Sequence, residues 1–255
     1  MSADINDVIA YWDRQPCMSK TSAERPLSYE YSQQIRDRRL FVQPHIASFA
    51  NASEWKGRRV LDAGCGIGID SIWFAFAGAD VIAVDCSMHS ISLANKQAET
   101  WNLKIKFVRG NLEELVFPNL QKKFDLIWCF GVLHHTPHPD IALRQFRKFI
   151  APDGKLRIML YYRWSWKRLI REQYEAQAGC PIVQFYSKWE AEHLLYEAGF
   201  KVVSESVAHI FRYKIKQYKT GELVDLWYWR ICPDFLFRWM ERHFGTHLLI
   251  EAIPI

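Results

Sequence analysis

The sequence predicts an α/β protein built on a parallel sheet with helices on both faces. Three observations carry this reading. Short apolar runs alternate with amphipathic stretches through the middle of the chain. The first of these runs, "RRVLDAG", leads straight into a glycine-rich turn. The second, "DVIAVDCS", ends on an acid, Asp85. The chain has 255 residues, 49% of them hydrophobic, enough for one sizeable core. Residues 1–255 are therefore read as a single domain.

The elements follow in order. Residues 1–50 read as a helical cap. "DINDVIAYWDRQ" places Ile5, Val8, Ile9 and Trp12 at helical spacing, with Asp4 or Asn6 able to cap it. Pro16 and Pro26 bound an irregular stretch. "SYEYSQQIRDRRLFVQPHIASFAN" predicts a longer helix, interrupted or kinked near Pro44. "RRVLDAG" is a buried strand, "IDSIWFAFAGA" a helix closing at Gly78, and "DVIAVDCS" the second strand. "SISLANKQAETWNL" is an amphipathic helix, "KIKFVRGN" a third strand and "FDLIWCFGV" a fourth. "DIALRQFRKFIAPDG" reads as a helix ended by Pro152 and Gly154, before a fifth strand, "KLRIMLYY". Residues 163–186 are polar and helical. "SKWEAEHLLYEAGF" is a capped helix ending at Gly199, and "KVVSESVAHI" is a strand. Residues 211–244 are rich in aromatics, Arg and Lys, and "HLLIEAIPI" is the last strand. This alternation is a Rossmann-like, doubly wound layout.

Several function classes are disfavoured by composition. No run of 18 apolar residues occurs, so no transmembrane helix is expected. "MSADINDVIA" lacks a basic start and an apolar core, so no signal peptide is expected and the location is read as cytoplasmic. Six cysteines are scattered without a C-x-x-C pair, against a disulfide framework or a zinc knuckle. The net charge of +5 suits an anionic substrate or a weak nucleic-acid contact and proves neither.

The sharpest motif is "VLDAGCGIGID". A strand ends at Asp62, and Gly64, Gly66 and Gly68 precede a helix whose first N–H groups are unpaired. The spacing is G-x-G-x-G, not the dinucleotide pattern G-x-G-x-x-G. Asp62 and Asp70 suit a cationic ligand group better than a diphosphate. S-adenosylmethionine carries both an ammonium and a sulfonium. Asp85, 17 residues after Gly68, can accept both hydroxyl hydrogens of a ribose.

On these residues the chain resembles the class I S-adenosylmethionine-dependent methyltransferases. "VLDAGCGIG" resembles their first motif, "VIAVDCS" the ribose-binding acid motif, and "VRGNLEEL" the segment facing the adenine, where this chain has Asn111 in place of the usual Asp. An amide can also hydrogen-bond the adenine. "FDLIWCFGVLHHTPHP" resembles the fourth-strand motif, and "IAPDGKLRIML" the lead into the fifth strand. The likeness covers roughly residues 56–162, read as the cofactor-binding core. It implies seven strands in the order 3-2-1-4-5-7-6 with the last antiparallel, and S-adenosylmethionine as cofactor, leaving as S-adenosylhomocysteine. It assigns cofactor contacts to Asp62, Gly64, Cys65, Gly66, Gly68, Asp85, Cys86, Met88, Asn111, Leu112 and Phe130. Tyr11 and Trp12 resemble the N-terminal aromatics that close over the methionine moiety.

"GVLHHTPHP" follows the fourth strand, beside the cofactor's expected place. His134 and His135 are the candidate bases. The acid that partners such a His in some relatives is absent, because "LYYRWSW" holds Tyr161, Tyr162 and Arg163 there. His138, between two prolines, is read as part of the turn. Adjacent ligands cannot readily face one ion from an extended segment, and the stretch has no Cys or acid, so no metal is expected. Residues 163–186 and 211–245 are read as insertions covering the substrate. Trp12, Arg36, Arg39, Tyr161 and Arg163 are the candidate substrate contacts, with Arg groups suited to an acidic function.

The resemblance implies in-line methyl transfer to an O, N or S atom of a small molecule. No membrane and no nucleic-acid partner is expected, and monomer and dimer stay open. RNA or protein methylation, a thiol or metalloid acceptor, a non-catalytic cofactor-binding protein and a nicotinamide oxidoreductase remain as alternatives at this point.

Overall fold

The computed structural model describes residues 4–17, 28–117, 120–170 and 179–255. The expected turn at Pro26, and the end of the helix expected after residue 165, lie outside the described residues. Three helices lead the chain: α1 (Ile5–Arg14), α2 (Tyr29–Val42) and α3 (His45–Ala50). Asp4 caps α1 with a reciprocal box to Asp7. Ser28 caps α2 by accepting the Tyr31 N–H at 3.0 Å. The interruption expected at Pro44 is a full break, because proline has no N–H to continue the helix and begins α3 instead.

The alternation then runs β1 (Arg59–Ala63), α4 (Ile69–Phe76), β2 (Asp80–Asp85), α5 (Met88–Thr100), β3 (Lys106–Arg109), β4 (Phe124–Phe130), α6 (Pro139–Phe149) and β5 (Ile150–Tyr161). A short α7 (Trp166–Leu169) precedes α8 (Lys188–Glu197) and β6 (Phe200–Ala208). The helices α9 (Ile215–Lys219), α10 (Trp227–Arg230) and α11 (Asp234–Phe244) fill the stretch before β7 (His247–Pro254). Pro152 and Gly154 do not end α6 as expected. The helix stops at Phe149, and both residues lie inside β5, beyond a register shift on β4 between Phe124 and Leu126.

The sheet order is β3-β2-β1-β4-β5-β7-β6, as the resemblance implied. β1 to β5 run parallel, and β7 is antiparallel to both β5 and β6. Strand alternation divides the core. Leu126 and Trp128 face α3 and α4 with Ile46, Ala50 and Phe74, while Ile127 and Cys129 face α6 and α8 with Phe146 and Leu195. Each of these large side chains, fully withdrawn from water, contributes roughly 1.5–3 kcal/mol. One charge is held inside. Arg157 on β5 donates to Glu251 at 2.6 Å, to Glu54 at 2.9 Å and to the Ala50 carbonyl at 2.9 Å, tying the cap to the sheet.

This topology fixes where chemistry can occur. The parallel strands end together, and the loops after β1, β2, β3 and β4 open on one edge of the sheet. β7 begins at that edge beside the end of β6, with Ala208 opposite His247. The insertion between them is pinched shut by Thr246, whose N–H and hydroxyl both donate to the His209 carbonyl, at 2.7 and 3.0 Å.

Candidate active site

The glycine turn after β1 is built for close backbone approach. Gly64 has φ +87°, and a Cβ there would collide with the Val132 side chain. Gly68 caps α4 at φ +83°, with Ala94 and Phe107 hard against any added carbon. Asp85 braces the turn from the end of β2. One of its oxygens accepts the Gly66 N–H at 2.8 Å and the other the Ser87 N–H at 2.9 Å. Burial pushes its pKa up, and these two bonds oppose the shift. Each carboxylate oxygen keeps a second lone pair for a ribose hydroxyl.

A second acidic group lies behind the turn. Asp62 is 2% exposed and accepts the Ser71 hydroxyl at 2.5 Å. Asp70 accepts Arg39 at 2.8 Å and the Trp128 indole at 3.0 Å. Burial, then the neighbouring charge of Asp70, raises the Asp62 pKa to about 8. Asp70 thus has the one guanidinium, and Asp62 beside it keeps its proton near pH 7. An ammonium group placed there would supply the missing positive charge, so these residues fit the methionine end of S-adenosylmethionine.

The other predicted cofactor positions are placed as follows. Asn111 caps the short turn after β3 by accepting the Glu113 N–H at 3.0 Å. Leu112 and Cys65 are buried, Met88 opens α5 and is 52% exposed, and the Cys86 carbonyl accepts from Arg109. Burial drives the Cys86 thiol up to about 12, so it stays protonated. Phe130 stacks on Trp128 with centroids 5.2 Å apart, and the Arg39 guanidinium sits 5.6 Å from its ring.

Beyond β4 the two candidate bases are both withdrawn from water. His134 stacks on Tyr161 with centroids 3.7 Å apart, and neither of its ring nitrogens has a hydrogen-bond partner. His135 differs. Its Nδ1 lies 2.7 Å from the Ile182 carbonyl, which fixes the proton on that nitrogen and leaves Nε2 as the lone-pair acceptor. That Nε2 is buried and unpartnered. Cys180 Sγ also approaches Nδ1 at 3.3 Å. Burial lowers the His135 pKa to about 4 and holds that of His134 well below the usual imidazole value, so both imidazoles are neutral near pH 7.

Sequence reasoning missed three more imidazoles at the same edge. His45 Nε2 lies 2.9 Å from His247 Nδ1, and His209 lies 4.7 Å centroid to centroid from His247. His209 has φ +70°, an uncommon conformation for a residue with a Cβ. Burial pulls His45 down to about 4 and His209 to about 3, and holds His247 well below the usual imidazole value. Tyr161 pairs with His247 across the β5–β7 ladder, which joins this trio to the His134 stack. The available signal was topological: residues 209 and 247 flank the last insertion, and an antiparallel β7 brings them together.

Helix α1 lies across the whole arrangement. Asp13 accepts the Ser87 hydroxyl at 2.6 Å and the His89 N–H at 3.2 Å, pinning its end to the start of α5. Trp12 meets His135 edge-on at 5.5 Å, and Tyr11 is buried 5.0 Å from Trp12. Tyr11, Trp12, Arg39 and Tyr161 therefore sit with the glycine turn and the imidazoles. Arg36 does not. It pairs with Asp37 at 2.9 Å and lies over Trp101. Arg163 is held by Glu190 at 2.7 Å and by the Phe185 carbonyl, tying β5 to α8. The Arg groups expected to clamp an acid are thus already paired, Arg212 with Asp225 among them. His138 begins α6, as expected for a turn residue. Among the described residues no group of three His, Cys, Asp or Glu side chains is arranged to hold a metal ion, and no helix is long and apolar enough to cross a membrane.

Comparison with known proteins agrees with this geometry. A family profile described as a methyltransferase domain matches residues 33–205. The ubiquinone biosynthesis O-methyltransferase of Actinobacillus pleuropneumoniae serotype 7 (strain AP76) is 30% identical over 149 residues, 57% of this chain and 57% of that protein. The protein of the same name from Coxiella burnetii (strain Dugway 5J108-111) is 37% identical over 101 residues, 40% of this chain and 42% of the relative. The match thus spans about half the length of these curated relatives. Among solved structures, magnesium protoporphyrin IX methyltransferase from Synechocystis PCC 6803 with bound SAH superposes with a TM-score of 0.65. It covers 99% of this chain and 100% of its own at 17% identity, which shows a common fold. The matched profile takes in the glycine turn, both acids behind it, Asp85 and the two histidines after β4, and the chain belongs to the methyltransferase-domain family.

Proposed function

We propose that the protein transfers the methyl group of S-adenosylmethionine to a small-molecule acceptor, with His135 Nε2 receiving the acceptor's proton. The cofactor supplies the electrophilic methyl group when bound. Asp62 and Asp70 would hold its ammonium, Asp85 its ribose hydroxyls and Arg39 its carboxylate. Tyr11 and Trp12, on a pinned helix, exclude water from the reacting atoms.

The observation that carries the reading is the state of His135: neutral, its Nδ1–H given to the Ile182 carbonyl, and its basic nitrogen without a partner. A desolvated lone pair of that kind is held for a proton the protein itself does not supply. The surrounding rings, Trp12, His134 and Tyr161, favour a flat, largely uncharged acceptor with a hydroxyl group. An acidic substrate finds no unspent arginine among the side chains proposed for it, so the acceptor is read as neutral apart from its nucleophile.

The test is methyl transfer to a panel of phenols, amines and thiols, followed by mass spectrometry. His135→Ala is expected to lower kcat by ~10²–10⁴ while cofactor affinity stays within about twofold. Turnover of phenols at the wild-type rate by this variant would refute the base role. Turnover confined to amines or thiols would refute the acceptor class.

A further inference from the structure

The helix α11, "DFLFRWMERHF", turns Phe237, Met240 and Phe244 half-buried towards the body of the protein and leaves its opposite face exposed. Phe235 is 77% exposed and Trp239 50%. At 3.6 residues per turn, Phe235, Leu236, Arg238, Trp239, Arg242 and His243 fall on one half of the helix. The two acids, Asp234 and Glu241, fall on the other half. Beside it, Trp227 and Ile231 are 69% and 72% exposed. Aromatic side chains interleaved with two arginines make a face complementary to a negatively charged, partly apolar surface, with Asp234 and Glu241 at its border beside Arg238.

A second observation lies under that face. Trp166 and Trp229 line an apolar cavity of about 280 Å³ between α7, α10 and α11. Trp229 is 4% exposed, and its indole N–H has no acceptor; the same holds for the Trp166 N–H. A buried donor left open at an apolar opening calls for a ligand that is mostly hydrocarbon with an oxygen acceptor on it.

We propose that α10 and α11 dock on an anionic phospholipid surface. Phe235, Trp239, Trp227 and Ile231 enter the boundary between headgroups and acyl chains. Arg238 and Arg242 meet lipid phosphates, and the cavity under the helices takes part of a lipid chain, whose ester oxygen accepts an indole N–H. This contact lies on the membrane and needs no spanning segment. A second copy fits the face poorly, because a two-fold contact there sets Arg238 and Arg242 against their own images.

The test is flotation of the full chain with vesicles of phosphatidylcholine alone and with about one third phosphatidylglycerol. The chain is expected to float with the anionic vesicles and to stay behind with the neutral ones, and to be released by ~0.5 M salt. Phe235→Ser with Trp239→Ser, and separately Arg238→Glu with Arg242→Glu, are each expected to weaken binding by at least ~10-fold with the melting temperature unchanged. Three results overturn the proposal: no flotation with anionic vesicles, flotation of the variants equal to wild type, or a dimer in sedimentation that Trp239→Ser dissociates while vesicles bind neither form. Flotation is read without any acceptor, so its outcome is separate from that of the methyl-transfer reading.

Discussion

Acid should unfold this protein well before its carboxylates protonate. Burial holds five imidazoles neutral in the folded chain: His45 and His135 fall to about 4, His209 to about 3, and His134 and His247 lie well below the usual imidazole value. Unfolded, each returns to about 6.5. Between those values the unfolded chain binds protons that the folded chain refuses. The stability these groups contribute is therefore complete above pH ~6.5 and is lost as pH falls towards ~4. Each fully linked group contributes a slope of about 1.4 kcal/mol per pH unit. Asp62 works in the opposite sense. Its folded pKa of about 8 lies above its unfolded value of 3.8, so acid favours the folded state through that group across the same window. Five imidazoles against two raised carboxyls, Asp62 and Asp85, leave a net loss of about 4 kcal/mol per unit below pH ~6.5. Set against a total stability near the lower end of the usual range of roughly 5–15 kcal/mol, that places cooperative unfolding near pH ~5. Urea unfolding followed by circular dichroism at closely spaced pH values measures the slope directly. His209→Asn keeps a residue tolerant of φ +70° and removes one titration, so it should reduce the slope by about 1.4 kcal/mol per unit. A midpoint that does not move between pH 7.5 and 5.5 would refute the reasoning.

Other outcomes follow from single contacts. Gly64→Ala forces a left-handed alanine into Val132 and should cost ~2 kcal/mol, with Val132→Ala restoring only part of it; a neutral effect on melting would contradict the close approach. Cofactor binding at about pH 7 should expel the proton from Asp62, so its calorimetric heat should differ between phosphate and Tris buffers and cease to differ in Asp62→Asn. A buffer-independent heat in the wild type would remove the ammonium from that carboxylate. Asp13→Ala deletes two bonds to α5 and should raise hydrogen exchange across α1 roughly fivefold, for ~1 kcal/mol, while exchange in the sheet stays fixed.

The positions of the core strands were legible because each is a short apolar run punctuated by Gly, Asp or Pro, and such punctuation is local; their order in the sheet came from the family resemblance. The glycine turn, Asp62 and Asp85 could be placed for the same reason: the turn and both strand ends are dictated by residues within a few positions of each other. What escaped was set by long-range packing. His45, His209 and His247 are far apart in the chain, and only the β7 register and the seat of α3 bring their rings together. Arg36 and Arg163 carry the same charge as Arg39; Asp37 stands next to Arg36 in the chain, but nothing near Arg163 says that Glu190 will occupy it. Pro152 and Gly154 look like a helix stop by composition, yet the pull of the β4 ladder carries β5 back past both. The aromatics of residues 227–244 read as packing for a cover, and exposure of the α11 face separates them into rings that pack and rings that do not.

The pinch between His209 and Thr246 has a consequence for how such a protein can change over time. The whole stretch from one residue to the other leaves and rejoins the sheet at neighbouring points, so the two ends of β6 and β7 are held together whatever lies between them. Closing a longer excursion from a fixed gate costs only about 0.6 kcal/mol for each doubling of its length. The stretch is a cassette. It can be lengthened, shortened or exchanged for another while the glycine turn and the paired acids stay in register.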